Sequence, residues 1–524
     1  MLQKPISVIL LTGLISLSLC AQQPGSLDPT FDDDGIKLTP IGTANAFGRS
    51  MVIQPDGKIV VASIGSNGTD TDFAIARYTT QGDPDISMNG DGIVMTDFDS
   101  RTDIAEDIAL DEFNRIIVAG SVDSGDGFGF AVARYLSDGT LDETFGDSGL
   151  VTKMIGITGF CKSVAVQHDN KIVLGGYVLD PVSQTNEFVL MRFSTDGTPD
   201  STFHNDGIVK TNMEMGAGVA NALLIQPDKK ILLVGQVLND ATLRWQIGMA
   251  RYNEDGSMDN TWDEDGLVFT GMDQADFTIN EVVMDDNKKI VVGGYFGTAP
   301  SNNLFAVGRY HLDGTLDETF GDEGILLDSY GAQNNQVNTI VIQPDGQILI
   351  AGSSLQGNRD LFAIARLNPD GEFDESFGEQ GVVRPVIDQN DGINAMVLQQ
   401  DGKLVVAGES FNGQRFSIAL ARIETGLVTS ADDPAESTIK VSVFPNPVNE
   451  ELYVSFMTPP PDIVRIVLID QTGRIVNEWP NTFKQNAGVI TVDLAIPMQL
   501  PNGVYSLGLM SGDSIRGVQV IVTR

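Results

Sequence analysis

Acid–base or nucleophilic chemistry needs a side chain that stands apart from its scaffold. This 524-residue chain offers three histidines, two cysteines and 71 acidic residues among which to find one. His168 stands in a QHDNK turn where another copy of the stretch reads QPDGK, His204 replaces Gly146 after an aromatic residue, and His311 replaces Leu136 before an Asp-Gly turn. All three are turn positions far apart in the chain, so no metal or triad set is expected of them. Cys161 aligns with Gly48, Ala105, Ala220, Ile279, Val337 and Ile393, which predicts a buried core thiol. No serine lies in a GxSxG elbow. Carboxylate pairs are so frequent that spacing selects none, and no catalytic or cofactor-binding residue is assigned.

Two recurrent features remain. An acidic step before a glycine, as in Asp32-Asp-Asp-Gly35, Asn89-Gly-Asp-Gly92 and Asp263-Glu-Asp-Gly266, makes Asp32, Asp34, Asp91, Asp147, Asp206, Asp263 and Asp265 candidate Ca²⁺ ligands, because Ca²⁺ takes six to eight hard oxygens. The spacing is not that of an EF-hand, and Asp and Gly are equally the default residues of solvated turns. The second feature is an arginine that recurs as Arg77, Arg134, Arg192, Arg251, Arg309, Arg366 and Arg422. In FAIARY, alternation places Phe73, Ile75 and Arg77 on one strand face. A buried arginine needs an acceptor. The Asp of the following Asp-x-x-Phe step supplies one, pairing Arg134 with Asp142 and Arg309 with Asp317.

The elements that must position these residues form a repeat. Phe130 to Val151 recurs at Phe305 to Leu326, 175 residues on, with at least 15 of 22 positions identical. The arginines return at intervals of 57, 58, 59, 58, 57 and 56, and the bulky residue of the Asp-x-x-Phe step keeps the same beat as Phe31, Met88, Phe145, Phe203, Trp262, Phe320 and Phe377. Each unit holds four strand-like runs, in the second unit Gly92–Thr96, Ile108–Leu110, Ile116–Ala119 and Phe130–Tyr135. Consecutive apolar residues mean strands buried on both faces, and no segment has helical periodicity. Turns such as QPDGK suit tight hairpins. Units at both ends match the inner ones, whereas an open solenoid needs polar caps. The prediction is therefore an all-β chain whose seven units close into a seven-bladed β-propeller, with Gly35–Thr39 completing the blade that ends at Phe416–Ile423.

These motifs carry a resemblance. DGTLDETFGDxG, followed by IQPDGKIVVAG and FAIARY just under 60 residues apart, resembles the delta-60 repeat family of bacterial β-propeller repeats. The resemblance covers Gly25 to about Glu424 and implies a propeller without implying an activity. Gly82 to Gly92 departs from it by lacking the aromatic.

The flanks supply an address. Residues 1–21 read as a secretory signal peptide, with Lys4 before an apolar run from Ile6 to Leu19 and cleavage between Ala21 and Gln22. Cys20 would be acylated under a lipoprotein reading, but Leu19 stands where a small residue is wanted. Residues 22–424 hold the repeats, 425–438 a small polar linker, and 439–524 a set of short strands that predicts a small Ig-like β-sandwich. VFPNPVN, the DQTGR turn, LPNGVYSL and a last apolar strand are similar to the C-terminal sorting domain of the type IX secretion system of Bacteroidetes. That resemblance implies a translocon and a sortase as partners of residues 439–524, and an extracellular or outer-membrane-surface location after passage through the periplasm.

The formal net charge of −39 excludes nucleic acid as a partner, since its binding rests on Lys and Arg neutralising phosphate. No transmembrane segment and a monomeric mature chain are expected. Variable segments between the third and fourth runs, Ser63–Asp72 among them, gather at one edge of the ring, where binding residues sit on rigid scaffolds; lack of constraint would make them equally variable. The sequence reading is a non-catalytic binding or adhesion protein for an unidentified glycan or protein. The alternative is an extracellular hydrolase or lyase of carbohydrate that uses the propeller channel.

Overall fold

The computed structural model describes residues 23–42, 44–99, 101–297 and 302–427, together with residues 441–444, 451–458, 464–469, 474–479, 488–495, 500, 503–511 and 514–522 of a second unit. The Ala21–Gln22 junction, Cys20 and residues 428–438 lie outside them. The chain divides into two compact units, residues 1–427 and 428–524.

The first unit is a seven-bladed propeller of four-stranded antiparallel sheets. Blade 1 runs from the channel outwards as Phe47–Ile53, Ile59–Ser66, Thr71–Tyr78 and Ile93–Thr96. Blade 2 follows with Asp103–Leu110, Ile116–Asp123, Phe128–Tyr135 and Leu150–Lys153. Blades 3 to 6 repeat this order. The short GIxLT-type strand is thus the outer strand of the blade before it, as Ile93–Thr96 pairing with Phe73–Ala76 illustrates. Blade 7 takes its outer strand from the start of the chain: Ile36–Thr39 pairs with Ile418–Ala421, and backbone bonds from Gly25 to Glu424 and from Arg422 to Gly35 tie the ends of the ring.

Second and third strands are buried on both faces because each packs against a neighbouring blade. One cluster joins Ile117, Phe130 and Val132 of blade 2 to Cys161, Leu174 and Met191 of blade 3. Each such fully buried aliphatic or aromatic side chain contributes about 1.5–3 kcal/mol. The strands are longer than the apolar runs suggest: the inner strand of blade 2 begins at Asp103 rather than Ile108, because its first half alternates polar and apolar residues. Thr425 also belongs to the propeller rather than to the linker, since it is 1% exposed and its carbonyl accepts from Arg366.

The repeated arginine fastens each blade to the next. Its Nε or Nη2 donates to the Asp-x-x-Phe carboxylate in Arg77–Asp85 (2.7 Å), Arg134–Asp142 (2.9 Å), Arg192–Asp200 (2.8 Å), Arg251–Asp259 (2.7 Å), Arg309–Asp317 (2.8 Å) and Arg366–Asp374 (2.8 Å). Arg422 reaches Asp28 at the chain's beginning at 2.6 Å, so the same joint closes the ring. Nη1 donates across to a turn carbonyl of the following blade, Ser137 for Arg77 and Leu312 for Arg251. The guanidinium lies over the ring of the same step, 4.3 Å from the Phe145 centroid for Arg134 and 5.0 Å from Trp262 for Arg251. Met88, wholly buried, fills that place in blade 1.

Seven described strands of the second unit form a three-stranded and a four-stranded antiparallel sheet. Among the described residues no helix is long and apolar enough to cross a membrane.

Candidate functional site

Every inner strand carries a β-bulge at the same place, between Gly48 and Ser50 in blade 1, Ala105 and Asp107 in blade 2, and so on to Ile393 and Ala395 in blade 7. A bulge re-aims a side chain, and here it brings Arg49, Glu106, Lys162, Asn221, Asn280, Asn338 and Asn394 to the wall of the central channel. In six of the seven blades a glycine stands in the second strand opposite the bulge, and in blade 1 Ser63 takes its place. A Cβ on Gly120 would sit 1.9 Å from the Ile104 carbonyl oxygen, and one on Gly294 would sit 1.8 Å from that of Thr278. The second glycine of VGGY and the glycine of VAGS are therefore the mark of the bulge.

The channel cavity holds about 430 Å³ and is chemically asymmetric. Four consecutive blades present amides that form a belt: Asn221 donates to Ile279 O (2.8 Å), Asn280 to Val337 O (2.9 Å), Asn338 to Ile393 O (2.8 Å) and Asn394 to Gly48 O (2.8 Å). The other three blades present Arg49, Glu106 and Lys162, with Lys162 Nζ 2.5 Å from Glu106. Asp107 accepts from the hydroxyls of Ser50 (2.7 Å) and Ser163 (3.0 Å) and from the Val164 amide (2.8 Å). Enclosure raises the Asp107 carboxyl above the usual range despite these donors. Glu281 is pushed up to about 8, by its enclosure first and then by the Asp107 charge. Glu409 rises to about 7 through burial, with Arg49 and the Asn394 amide partly offsetting it. Arg49 Nε is buried without a hydrogen-bond partner. The arrangement can donate to and accept from a polar, hydroxyl-rich ligand, and it holds a carboxylic acid protonated at neutral pH.

The residues singled out from sequence lie elsewhere. His168 is exposed near Glu254 at 4.0 Å, His204 caps its turn on Ile208 O at 3.1 Å, and His311 meets Lys289 at 2.6 Å, the first two in different turns of blade 3 and the third in blade 5. Cys161 is wholly buried, with its thiol raised well above the usual range by burial. Among the calcium candidates, Asp34, Asp91, Asp206 and Asp265 each accept the backbone N–H two residues on, at 2.9–3.0 Å. Asp32 pairs with Lys37 at 2.9 Å, Asp147 accepts from Ser148, and Asp263 takes a left-handed φ of 44°. They lie on five turns, with Asp32 and Asp34 sharing one and Asp263 and Asp265 another, and the structure does not bring the five together. The hairpins at the variable edge are shorter than the segments marked in sequence: in blade 1 only residues 67–70 connect the second and third strands. The channel residues were missed, although the residue after the Cys161 column is polar in all seven units.

Comparisons with known proteins agree with this architecture. A β-propeller family model described as a domain of unknown function, DUF5122, matches residues 54–87, 114–145, 167–203, 226–261, 286–320, 343–377 and 399–426. A secretion system C-terminal sorting domain matches residues 442–523. No curated protein matches the chain. Among solved structures, PorZ, a surface component of the type-IX secretion system of Porphyromonas gingivalis, is 12% identical with a TM-score of 0.31, over 89% of this chain and 68% of that one. The polysaccharide lyase Uly1 is 12% identical with a TM-score of 0.41, over 72% and 90%. The β-propeller domain of the trilobed protease from Pyrococcus furiosus is 10% identical with a TM-score of 0.40, over 76% and 99%. At such identities and scores none bears on the chemistry of this chain. With seven repeats and a sorting domain matched, the chain belongs to the DUF5122 β-propeller family, carries a secretion-system C-terminal sorting domain, and is exported to the cell surface or extracellular space.

Proposed function

We propose that this exported protein is a non-catalytic binding protein whose central channel takes a hydroxyl-rich ligand, a glycan end. It is delivered through residues 439–524 by a type IX translocon and sortase. The observation that carries the reading is the split channel wall, in which an amide belt on four blades faces Arg49, Glu106 and Lys162 on the other three. A repeat scaffold has no structural need for different chemistry on different blades, and alternating donors and acceptors are what sugar hydroxyls match. A second reading, a hydrolase or lyase of carbohydrate, is favoured by one feature: Glu281 is held at about 8, so its proton is retained at neutral pH, as a general acid requires.

A glycan array and a polysaccharide-depolymerisation screen on the full mature chain, with Arg49→Met and Glu281→Gln alongside, separate the two. Binding without turnover that weakens at least tenfold in Arg49→Met supports the first reading. Turnover abolished by Glu281→Gln supports the second, and binding indifferent to both substitutions moves the site out of the channel.

A further inference from the structure

Three carboxylates from three different segments converge at the junction of blades 1 and 2, on the rim that carries the hairpins. Asp72 lies in the third strand of blade 1 just after its hairpin, Asp97 follows the outer strand of that blade, and Asp103 begins the inner strand of blade 2. One carboxylate oxygen from each lies within 4.8 Å of the other two. Asp72 and Asp103 are 2% and 1% exposed. Asp72 Oδ2 accepts from the Asn67 amide and Asp103 Oδ2 from the Phe98 backbone N–H, both at 2.9 Å. The Oδ1 atom of each is buried with no hydrogen-bond partner. Among the described residues, neither carboxylate has a lysine or arginine partner.

Leaving a buried carboxylate oxygen unmatched is destabilising, and the ring contains its own control. Asp391 occupies the position of Asp103 in blade 7. There the Ser410 hydroxyl reaches Oδ1 and the Ile387 N–H reaches Oδ2, and the Asp388 N–H lies within 3.3 Å of both. Blade 2 sets Asp103 among carboxylates instead of such donors. We infer that Asp72, Asp97 and Asp103 together hold one hard divalent cation, calcium.

The donor set contains only oxygen, which suits Ca²⁺ or Mg²⁺ rather than metals that favour imidazole or thiolate. Mg²⁺ keeps several waters and is rarely held by an all-protein cage, whereas Ca²⁺ accepts an irregular set of carboxylate oxygens, so the buried Asp72 and Asp103 favour the larger ion. Asp103 is pushed up to about 7, by burial first, with the Asp97, Asp72 and Asp70 charges adding to it. That crowding is what a cation would relieve. The site belongs to one blade junction only, since the positions matching Asp72 are Gly129, Glu187, Gln246, Leu304, Leu361 and Ser417.

The full mature chain, stripped with chelator and titrated with CaCl₂, tests this by thermal melting and by terbium luminescence. One equivalent should bind and raise the melting midpoint. Asp103→Asn and the rim variant Asp97→Asn should each weaken binding at least tenfold, with Asp91→Asn behaving as the parent. Stripped Asp103→Asn should melt no lower than the stripped parent, because it loses repulsion rather than a contact. No calcium response in the parent, or a response that survives both Asp103→Asn and Asp97→Asn, would overturn the site. Equal binding of MgCl₂ would overturn the assignment to calcium.

Discussion

The joint that closes the ring can be broken with a single atom change. Asp28 is wholly buried and accepts from Arg422 at 2.6 Å, Lys403 at 2.7 Å and the Thr30 N–H and hydroxyl at 3.0 and 2.8 Å. Burial alone would raise its carboxyl, but Lys403, Thr30 and Arg422 outweigh that and hold it from 3.8 down to about 2. This corresponds to about 2.4 kcal/mol of preference for the charged form. Asp28→Asn removes the charge and keeps one acceptor for Thr30, while Lys403 keeps Glu424 at 3.0 Å. The cost should therefore fall near the low end of the range for unpairing a buried ion, about 3 kcal/mol. Unfolding entropy scales at about 2.1 cal/mol/K per residue, or about 0.8 kcal/mol/K for a propeller of roughly 400 residues, so the melting midpoint should fall by about 3–4 °C.

Asp200→Asn, the same joint inside the ring, should lower the midpoint similarly. Only Asp28→Asn should also accelerate amide hydrogen exchange in Ile36–Thr39, because only there does the joint tie the outer strand of blade 7 to the chain's beginning. Equal exchange in the two variants, or an unchanged midpoint in Asp28→Asn, would refute the view that this pair locks the ring.

Stability of chelator-treated protein should peak near pH 4–5. Asp28, Asp85 and Asp200 are held at about 2, so their contribution is present above the unfolded value near 4 and is lost as pH falls towards 2. Asp103, Glu281 and Glu409, raised to about 7, 8 and 7, act in the opposite sense and erode stability as pH rises from about 4.5 to 8; urea midpoints from pH 2 to 9 would show both limbs. Gly294→Ala should cost about 3 kcal/mol in chemical denaturation, since its Cβ would meet the Thr278 carbonyl oxygen at 1.8 Å and force the bulge to shift. Met88→Phe should stabilise by about 0.5–1 kcal/mol by placing a ring beneath Arg77, provided that Gly139, whose Cβ position lies 2.5 Å from Met88, leaves it room.

What was legible in the sequence is what the chain states seven times. The arginine, the Asp-x-x-Phe step and the Asp-Gly turn form one joint, and the requirement that a buried arginine find a carboxylate was enough to pair Arg134 with Asp142 before any geometry. Ring closure was read from end units that match the inner ones and from Gly35–Thr39 completing the last blade, and the Arg422–Asp28 pair repeats the joint at that seam. The channel was not legible, for a specific reason. Alternation assumes a strand in phase, and the bulge shifts the phase by one residue just where the wall residue sits. The converging aspartates escaped because Asp72, Asp97 and Asp103 are separated in sequence by a hairpin partner strand and a connection between blades, and only blade packing brings them together.

The bulge also explains how one wall can differ from blade to blade without disturbing the fold. Its side chain points out of the packed faces, so replacing it leaves the clusters between second and third strands intact. Asparagine is the choice that completes the scaffold, because its amide donates to the carbonyl preceding the next bulge, a bond contributing about 1 kcal/mol. Arg49, Glu106 and Lys162 forgo that bond: among the described residues no bulge side chain donates to the carbonyls of Ala105, Cys161 or Ala220. The Lys162–Glu106 pair offsets part of the loss, but Arg49 leaves Nε buried and unpaired. These three consecutive departures from the residue that stabilises the ring are what the proposed channel site rests on, and replacing Arg49 by asparagine should raise stability while weakening glycan binding.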